Sequence, residues 1–393
     1  MNTIHSSRAH LGFSLVEILV AMAIGLIIVA AAARIFSTSA NTYQVDSGLA
    51  RLQENGRFAM DFLTRELRMA GDMGCARNTS LNAPPPSLNF YNNVGGTAFD
   101  YRVAIQGVEA AGTGPNTTLT RTDNAPAVVT TGWTPGLVAT TRIPGAVPGT
   151  DALLVRRLST ETVQPRSPVN DTMNVFIAPA DAARFQIGEV AVITDCKMAS
   201  VFQITDIDTT TGSLAHINTG VPGNPCAVWA TDAACKVGDQ FYNDEAEIAR
   251  IETTVFFIGL AADNTPTLFS GSFTGGGIQV QPLVPGVENM QILYGVDTDT
   301  ALLTDGDPDV YLTAAGVNEL PAATGWPRVV SVRLSLLLRT VDLPNQTTET
   351  TQDTGSYILT GATPDTGTTI VVAPDRQRRR VFNTTIRLRN RGG

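Results

Sequence analysis

The chain has 393 residues, 43% hydrophobic and 16% charged, which allows one large or two ordinary domains with a buried core and excludes a disordered chain. Its net charge of −9 gives no global attraction for nucleic acid. Of three histidines, His5 and His10 precede the first apolar run and only His216 lies in the body, which excludes most hydrolase schemes and transition-metal centres.

From Phe13 to Ala33 the sequence reads FSLVEILVAMAIGLIIVAAAA, with Glu17 its only ionisable side chain. About 20 apolar residues suffice to cross a bilayer as a helix. Arg8 and the two histidines ahead of it form a weakly positive flank that favours a cytoplasmic start. Cleavage by signal peptidase within Ala30–Ala33 is one reading. Against it, the apolar stretch is long, it contains Glu17, and a helical pattern continues beyond it. Cleavage ahead of the run, after Gly12, is the other. Gly12-Phe13-Ser14-Leu15-Val16-Glu17 resembles the processing site of type IV pilins and type II secretion pseudopilins. The resemblance implies a prepilin peptidase that cuts after Gly12 and methylates the new amino terminus at Phe13. A carboxylate at the centre of hydrocarbon costs roughly 2.5–3.5 kcal/mol on insertion scales, so Glu17 needs a partner. In a filament, that partner is expected to be the α-amino group of Phe13, its own or a neighbour's. The other account keeps Glu17 at headgroup depth, hydrated.

The helical pattern continues through Val45, Leu49, Leu52, Gly56, Ala59, Leu63 and Ala70, an apolar stripe in steps of mostly three and four. Arg51, Glu54, Arg57, Asp61, Arg65 and Arg68 form the solvated face. No proline interrupts residues 1–83, and Gly71 and Gly74 terminate the helix, which is expected to run from Phe13 to about Met73. Arg34 follows the span and is placed to reach headgroups.

From Asn78 to about Gly149 the sequence is rich in Thr, Pro, Gly, Ala and Asn, and reads as exposed loops and short strands. Clearer strands follow at Asp151–Leu158, Glu189–Cys196, Glu247–Leu260, Val287–Asp297, Arg328–Thr340 and Arg379–Asn390. His216, in GSLAHINTG, reads as a surface or strand residue. In VVSVRLSLLLRT, Val330, Val332, Leu334, Leu336 and Leu338 share one face, with Ser331, Arg333, Ser335 and Arg339 opposite. Phe382, Thr384, Ile386 and Leu388 likewise oppose Asn383, Thr385, Arg387 and Arg389. Such alternation predicts an antiparallel sheet with one face on a core, covered by the helix stripe, and one in water.

Four cysteines, Cys75, Cys196, Cys226 and Cys235, lack zinc spacing. In an oxidising compartment they suggest two disulfides: Cys226 with Cys235 closes a short loop and leaves Cys75 with Cys196, among three connectivities. Asp297, Asp299, Asp305, Asp307 and Asp309 crowd one stretch, as calcium loops do, but the EF-hand order is absent. The competing reading is a solvated acidic turn. From Pro374 onward there are seven arginines and one aspartate, with no aromatic residues interleaved among Arg387, Arg389 and Arg391 to stack bases, so no nucleic acid is expected. These arginines are expected to pair with acidic loops of this or neighbouring subunits. No phosphate loop or nucleophile elbow occurs, and no enzymatic activity is expected.

FQIGEVAVITDC, VENMQILYGVD, WPRVVSVRLSLLLR and the arginine-rich last strand resemble the PilW family of minor pilins. The resemblance implies an α+β fold, pilin-like: a long amino-terminal helix on a large, antiparallel β-rich head. Its expected divisions are 1–12 as leader, 13–33 as transmembrane half-helix, 34–73 as periplasmic half-helix, 74–246 as a variable part of the head and 247–393 as its antiparallel sheet. It further implies a non-enzymatic subunit in the bacterial inner membrane, with a periplasmic head that is later assembled into a pilus. Its expected partners are other minor pilins, the major pilin, the prepilin peptidase, the inner-membrane assembly platform, and lipid around residues 13–33. A type II secretion pseudopilin is the near alternative. An exported soluble binding or carbohydrate-active domain is the distant one.

Overall fold

Leu15–Met69 forms one unbroken α-helix of 55 residues, about 80 Å long at 1.5 Å per residue. The computed structural model describes residues 14–72, 88–90, 103–121, 127–136, 143, 145–166, 169–170, 174–195, 199–217, 224, 241–242, 245–274, 277–299, 305–321, 324–341, 355–360, 367–375 and 377–389. No described helix residue before Gly48 is buried. Beyond it, Gly48, Leu52, Gly56, Ala59, Leu63 and Leu67 form a single stripe against the head. The helix stops at Met69, four residues short of the expected end, because Gly71 turns the chain at φ +72°. Gly71 then donates its N–H to the Arg156 carbonyl at 2.8 Å and the Asp72 carbonyl accepts from Leu158, fastening the helix end to a strand.

Among the described residues, two main sheets face the helix. The larger has nine strands, seven of them in the order Leu88–Phe90, Ala199–Gln203, Val190–Thr194, Glu247–Leu260, Ala152–Val163, Ile105–Ala110 and Trp133–Thr134. Glu247–Leu260 also pairs along its later half with Pro266–Thr274, which continues as a hairpin into Gly277–Pro285. The smaller sheet has four antiparallel strands: Val310–Leu312, Val287–Val296, Val329–Arg339 and Arg379–Arg387. Ala59, Leu63 and Leu67 of the helix enter one core with Ile105 and Phe256 of the large sheet and Ile292, Leu334 and Ile386 of the small one. Burying a leucine is worth about 1.5–3 kcal/mol, so this stripe, not helix propensity, holds the helix to the head.

Two expectations change. Ile105–Ala110 is one of the short strands expected in this region, but it is fully buried inside the large sheet instead of exposed, because it is zipped to Ala152–Val163 on one edge. The polar face of Val329–Arg339 is not in water either. A three-stranded sheet, Ser356–Leu359, Thr368–Val372 and Thr118–Arg121, covers it and packs Leu359, Ile370 and Val372 on Leu337. Ser331 and Ser335 stay hydrogen-bonded there, to Tyr311 and to Asn383 with Thr360 respectively. The last strand keeps the expected alternation: Ile386 and Leu388 are buried while Asn383, Thr385, Arg387 and Arg389 are exposed.

Candidate functional site

The helix begins with a cap written into the sequence. Ser14 is extended at φ −76° and ψ 150°, and its Oγ accepts the Glu17 N–H at 3.2 Å. Ser14-Leu15-Val16-Glu17 has capping-box spacing, a local signal overshadowed in the sequence by the charge in lipid. Glu17 thus occupies the first helical turn, where aligned backbone N–H groups favour a carboxylate. Gly12 and Phe13 lie outside the described residues, as do Cys75, Cys196, Cys226 and Cys235.

After the cap, Leu15, Val16, Ile18, Leu19, Val20, Met22, Ile24, Leu26, Ile27, Ile28, Val29, Ile35 and Phe36 are all at least half exposed. This is the one described helix long and apolar enough to cross a membrane. Gly25 has open space on every side where a Cβ would stand. The same helix therefore has two halves of opposite design, an apolar rod that is not buried in the head and a docked segment.

The docked segment meets both sheets. A Cβ on Gly56 would stand 2.3 Å from the tip of the Phe382 ring, so the absent side chain is what lets the last strand close on the helix. Asn55 donates its Nδ2 to the Pro285 carbonyl at 3.2 Å, Arg157 lies 3.6 Å from Glu66 and 3.3 Å from Glu252, and Phe62 meets Phe256 edge-on. Partial burial pushes the Glu66 carboxyl above its ordinary range, against the pull of Arg157. Arg51, Glu54, Arg57, Asp61, Arg65 and Arg68 remain exposed, as their spacing predicts.

The described parts of the acidic stretch, residues 297–299 and 305–309, lie at the end of the small sheet. Asp297, Asp299 and Asp309 can bring one carboxylate oxygen each within 4.8 Å of the others. Asp305 and Asp307 do not join them: Asp305 accepts the Asp307 N–H at 2.8 Å and Asp307 pairs with Arg387 at 2.8 Å. The oxygens of Asp297 accept the N–H groups of Asp299 and Gly306, and Asp309 accepts both the N–H and the hydroxyl of Thr298. Desolvation and repulsion from Asp309, Asp297 and Asp305 push the Asp299 carboxyl up, while Arg328, bonded to the Asp299 carbonyl, opposes the shift.

The basic end divides in two. The Arg379 side chain is 1% exposed and holds Glu288 at 2.6 Å and Asp375 at 2.5 Å, with Arg339 also 3.3 Å from Glu288. Those carboxylates raise the Arg379 guanidinium above its ordinary value despite its burial. Arg387 is instead exposed, as is its partner Asp307. Arg391 lies outside the described residues. His216 is fully buried with its ring edge-on to Phe202, 5.4 Å between centroids; it is a core residue, not a surface one.

Residues 255–390 match the family model for the Type IV Pilus-assembly protein W, and residues 7–33 match that of the prokaryotic N-terminal methylation motif. The first match spans the hairpin and the whole small sheet, and leaves Phe185–Cys196 outside it. The second spans Gly12, Phe13, Glu17 and the apolar run. No curated protein matches the chain.

Proposed function

We propose that this chain is a PilW-like protein of type IV pilus assembly that serves as a minor pilin, cut after Gly12 by a prepilin peptidase and methylated on Phe13; the family matches over residues 255–390 and 7–33 support the reading. The observation that carries the reading is the division of one continuous helix into an unburied apolar half and a half docked through Gly48, Leu52, Gly56, Ala59, Leu63 and Leu67. A chain released by signal peptidase at Ala30–Ala33 would lose the first half. A subunit that must stand in a bilayer and later among other helices needs both.

In this reading the amino terminus faces the cytoplasm, residues 13–33 cross the inner membrane and the head folds in the periplasm. Its partners are the peptidase, the assembly platform, other minor pilins and the major pilin. Its role is structural; pilus-assembly pilins act by packing, not by turnover. Glu17 supplies the charge that a neighbouring amino terminus can meet.

Mass spectrometry of the mature amino terminus tests the reading. N-methylated Phe13 is the expected result, abolished in a strain lacking the peptidase. A mature start near Arg34 would overturn it in favour of an exported soluble domain.

A further inference from the structure

Where the two main sheets meet, two carboxylates are buried side by side. Asp151 is 2% exposed, Glu109 6% and the neighbouring Tyr294 1%. Asp151 ties the sheets together: one oxygen accepts the Ala110 N–H of the large sheet at 3.1 Å, the other the Ile292 N–H of the small sheet at 2.9 Å. Its own N–H donates to the Met290 carbonyl at 2.9 Å. Glu109 extends the joint to a third element, accepting the Ala314 N–H of the short helix Ala314–Glu319 at 3.1 Å and the Thr113 hydroxyl at 3.3 Å. These bonds attach the four-stranded sheet to the nine-stranded one at a point far from the long helix in sequence.

Among the described residues, no arginine forms an ion pair with either carboxylate. Arg156 donates to Gln106 and the Val103 carbonyl, Glu288 is held by Arg339 and Arg379 at the other end of its strand, and Glu319 is exposed. The titratable group that faces the pair from the small sheet is Tyr294. Its hydroxyl has no hydrogen-bond partner among the described residues, and its ring is wedged over Gly107, where a Cβ would stand 2.2 Å from that oxygen. Two like charges in so dry a place cannot both be borne cheaply.

We propose that Glu109 and Asp151 form a proton-held latch between the two sheets, closed while the pair keeps a proton and loosened when both carboxylates ionise. Burial raises the Glu109 carboxyl to about 7, and burial together with the Glu109 charge pushes Asp151 well above the carboxylate range. A carboxyl raised in the folded state stabilises the fold below its unfolded value near 4.5, and that contribution disappears as pH rises through the folded value. The latch therefore closes on the acid side of neutrality and weakens on the alkaline side.

Hydrogen exchange on the full-length chain in detergent reads the joint at the peptides that contain Ala110, Ile292 and Ala314. After correction for intrinsic rates, their protection is expected to fall roughly tenfold or more from about pH 6 to about pH 8, tenfold being one unit of proton affinity. Glu109→Gln is expected to remove that fall. No fall in the wild type, or the same fall in the variant, overturns the proposal. Infrared spectroscopy of the unaltered chain supplies a second reading that needs no variant. A buried protonated carboxyl band present at about pH 6 and lost by about pH 9 supports the latch; absence of the band at the lower pH overturns it.

Discussion

Gly56 shows how little separates a docked helix from a displaced one. Alanine in its place gains roughly 1 kcal/mol of helix propensity but drives a methyl into the Phe382 ring, 2.3 Å away, and overpacking costs about 1–3 kcal/mol. Gly56→Ala should therefore destabilise the head in urea unfolding, and the same change on a Phe382→Ala background should become stabilising. At Tyr294 the sign is different from the outset. Its buried hydroxyl is unpartnered among the described residues, so Tyr294→Phe is expected to be neutral or to stabilise by about 1 kcal/mol in the same measurement. For Glu17→Val, cleavage after Gly12 should persist while incorporation into pili, read by immunoblot of sheared filaments, should fall; unchanged incorporation would remove Glu17 from assembly. Residues of the helix stripe were legible because a 3.6-residue period has only one buried face. Leu67 and Gly48 escaped notice, the one because Ala70 ended the series and the other because a glycine carries no hydropathy. Asp151 and Glu109 escaped for a deeper reason: each looks like the polar edge of a short apolar burst, and only the meeting of two sheets makes them neighbours.

Elements differ in what their charges contribute. Glu288 and Arg379 are both nearly sealed from water, so Glu288→Ala leaves a buried guanidinium with only Asp375 of its two carboxylates and should cost roughly 3–5 kcal/mol by chemical denaturation. Asp307→Asn, which breaks the exposed pair with Arg387, should cost no more than about 1 kcal/mol. A run of arginines gives no sign of this contrast, since sequence records charge but not depth. The same limit explains Val329–Arg339. Its alternation marked the correct inner face, while its serines and arginines suggested water on the outer one. The strands that cover that face, Thr118–Arg121, Ser356–Leu359 and Thr368–Val372, lie too far apart in the chain for any local pattern to announce them. The hairpin Pro266–Thr274 with Gly277–Pro285 was missed because glycines and prolines blur its period.

For the molecule as a whole, several displaced carboxyls act in one direction. Burial raises Glu109, Asp151, Glu66 and Glu189, whose stabilising contributions vanish as pH rises; hydrogen bonds lower Asp208 and Asp263, whose contributions vanish only as pH falls below the ordinary carboxylate range. The melting temperature is therefore expected to be higher near about pH 5 than near about pH 8, by calorimetry at fixed ionic strength. Deleting the chain through Phe36 should leave that temperature nearly unchanged, because no described residue before Gly48 is buried in the head. What the deletion removes is a debt to the surroundings. Thirteen large apolar side chains from Leu15 to Phe36 have no cover of their own, and at roughly 1.5–3 kcal/mol each their transfer to water would cost about 20–40 kcal/mol. No folded head of ordinary stability could offset that sum. On the proposed minor-pilin reading, such a subunit would leave the bilayer only by a continuous hand-over, in which each turn of helix exchanges lipid for other helices before it meets water, so that a filament would act as a second solvent for the rod.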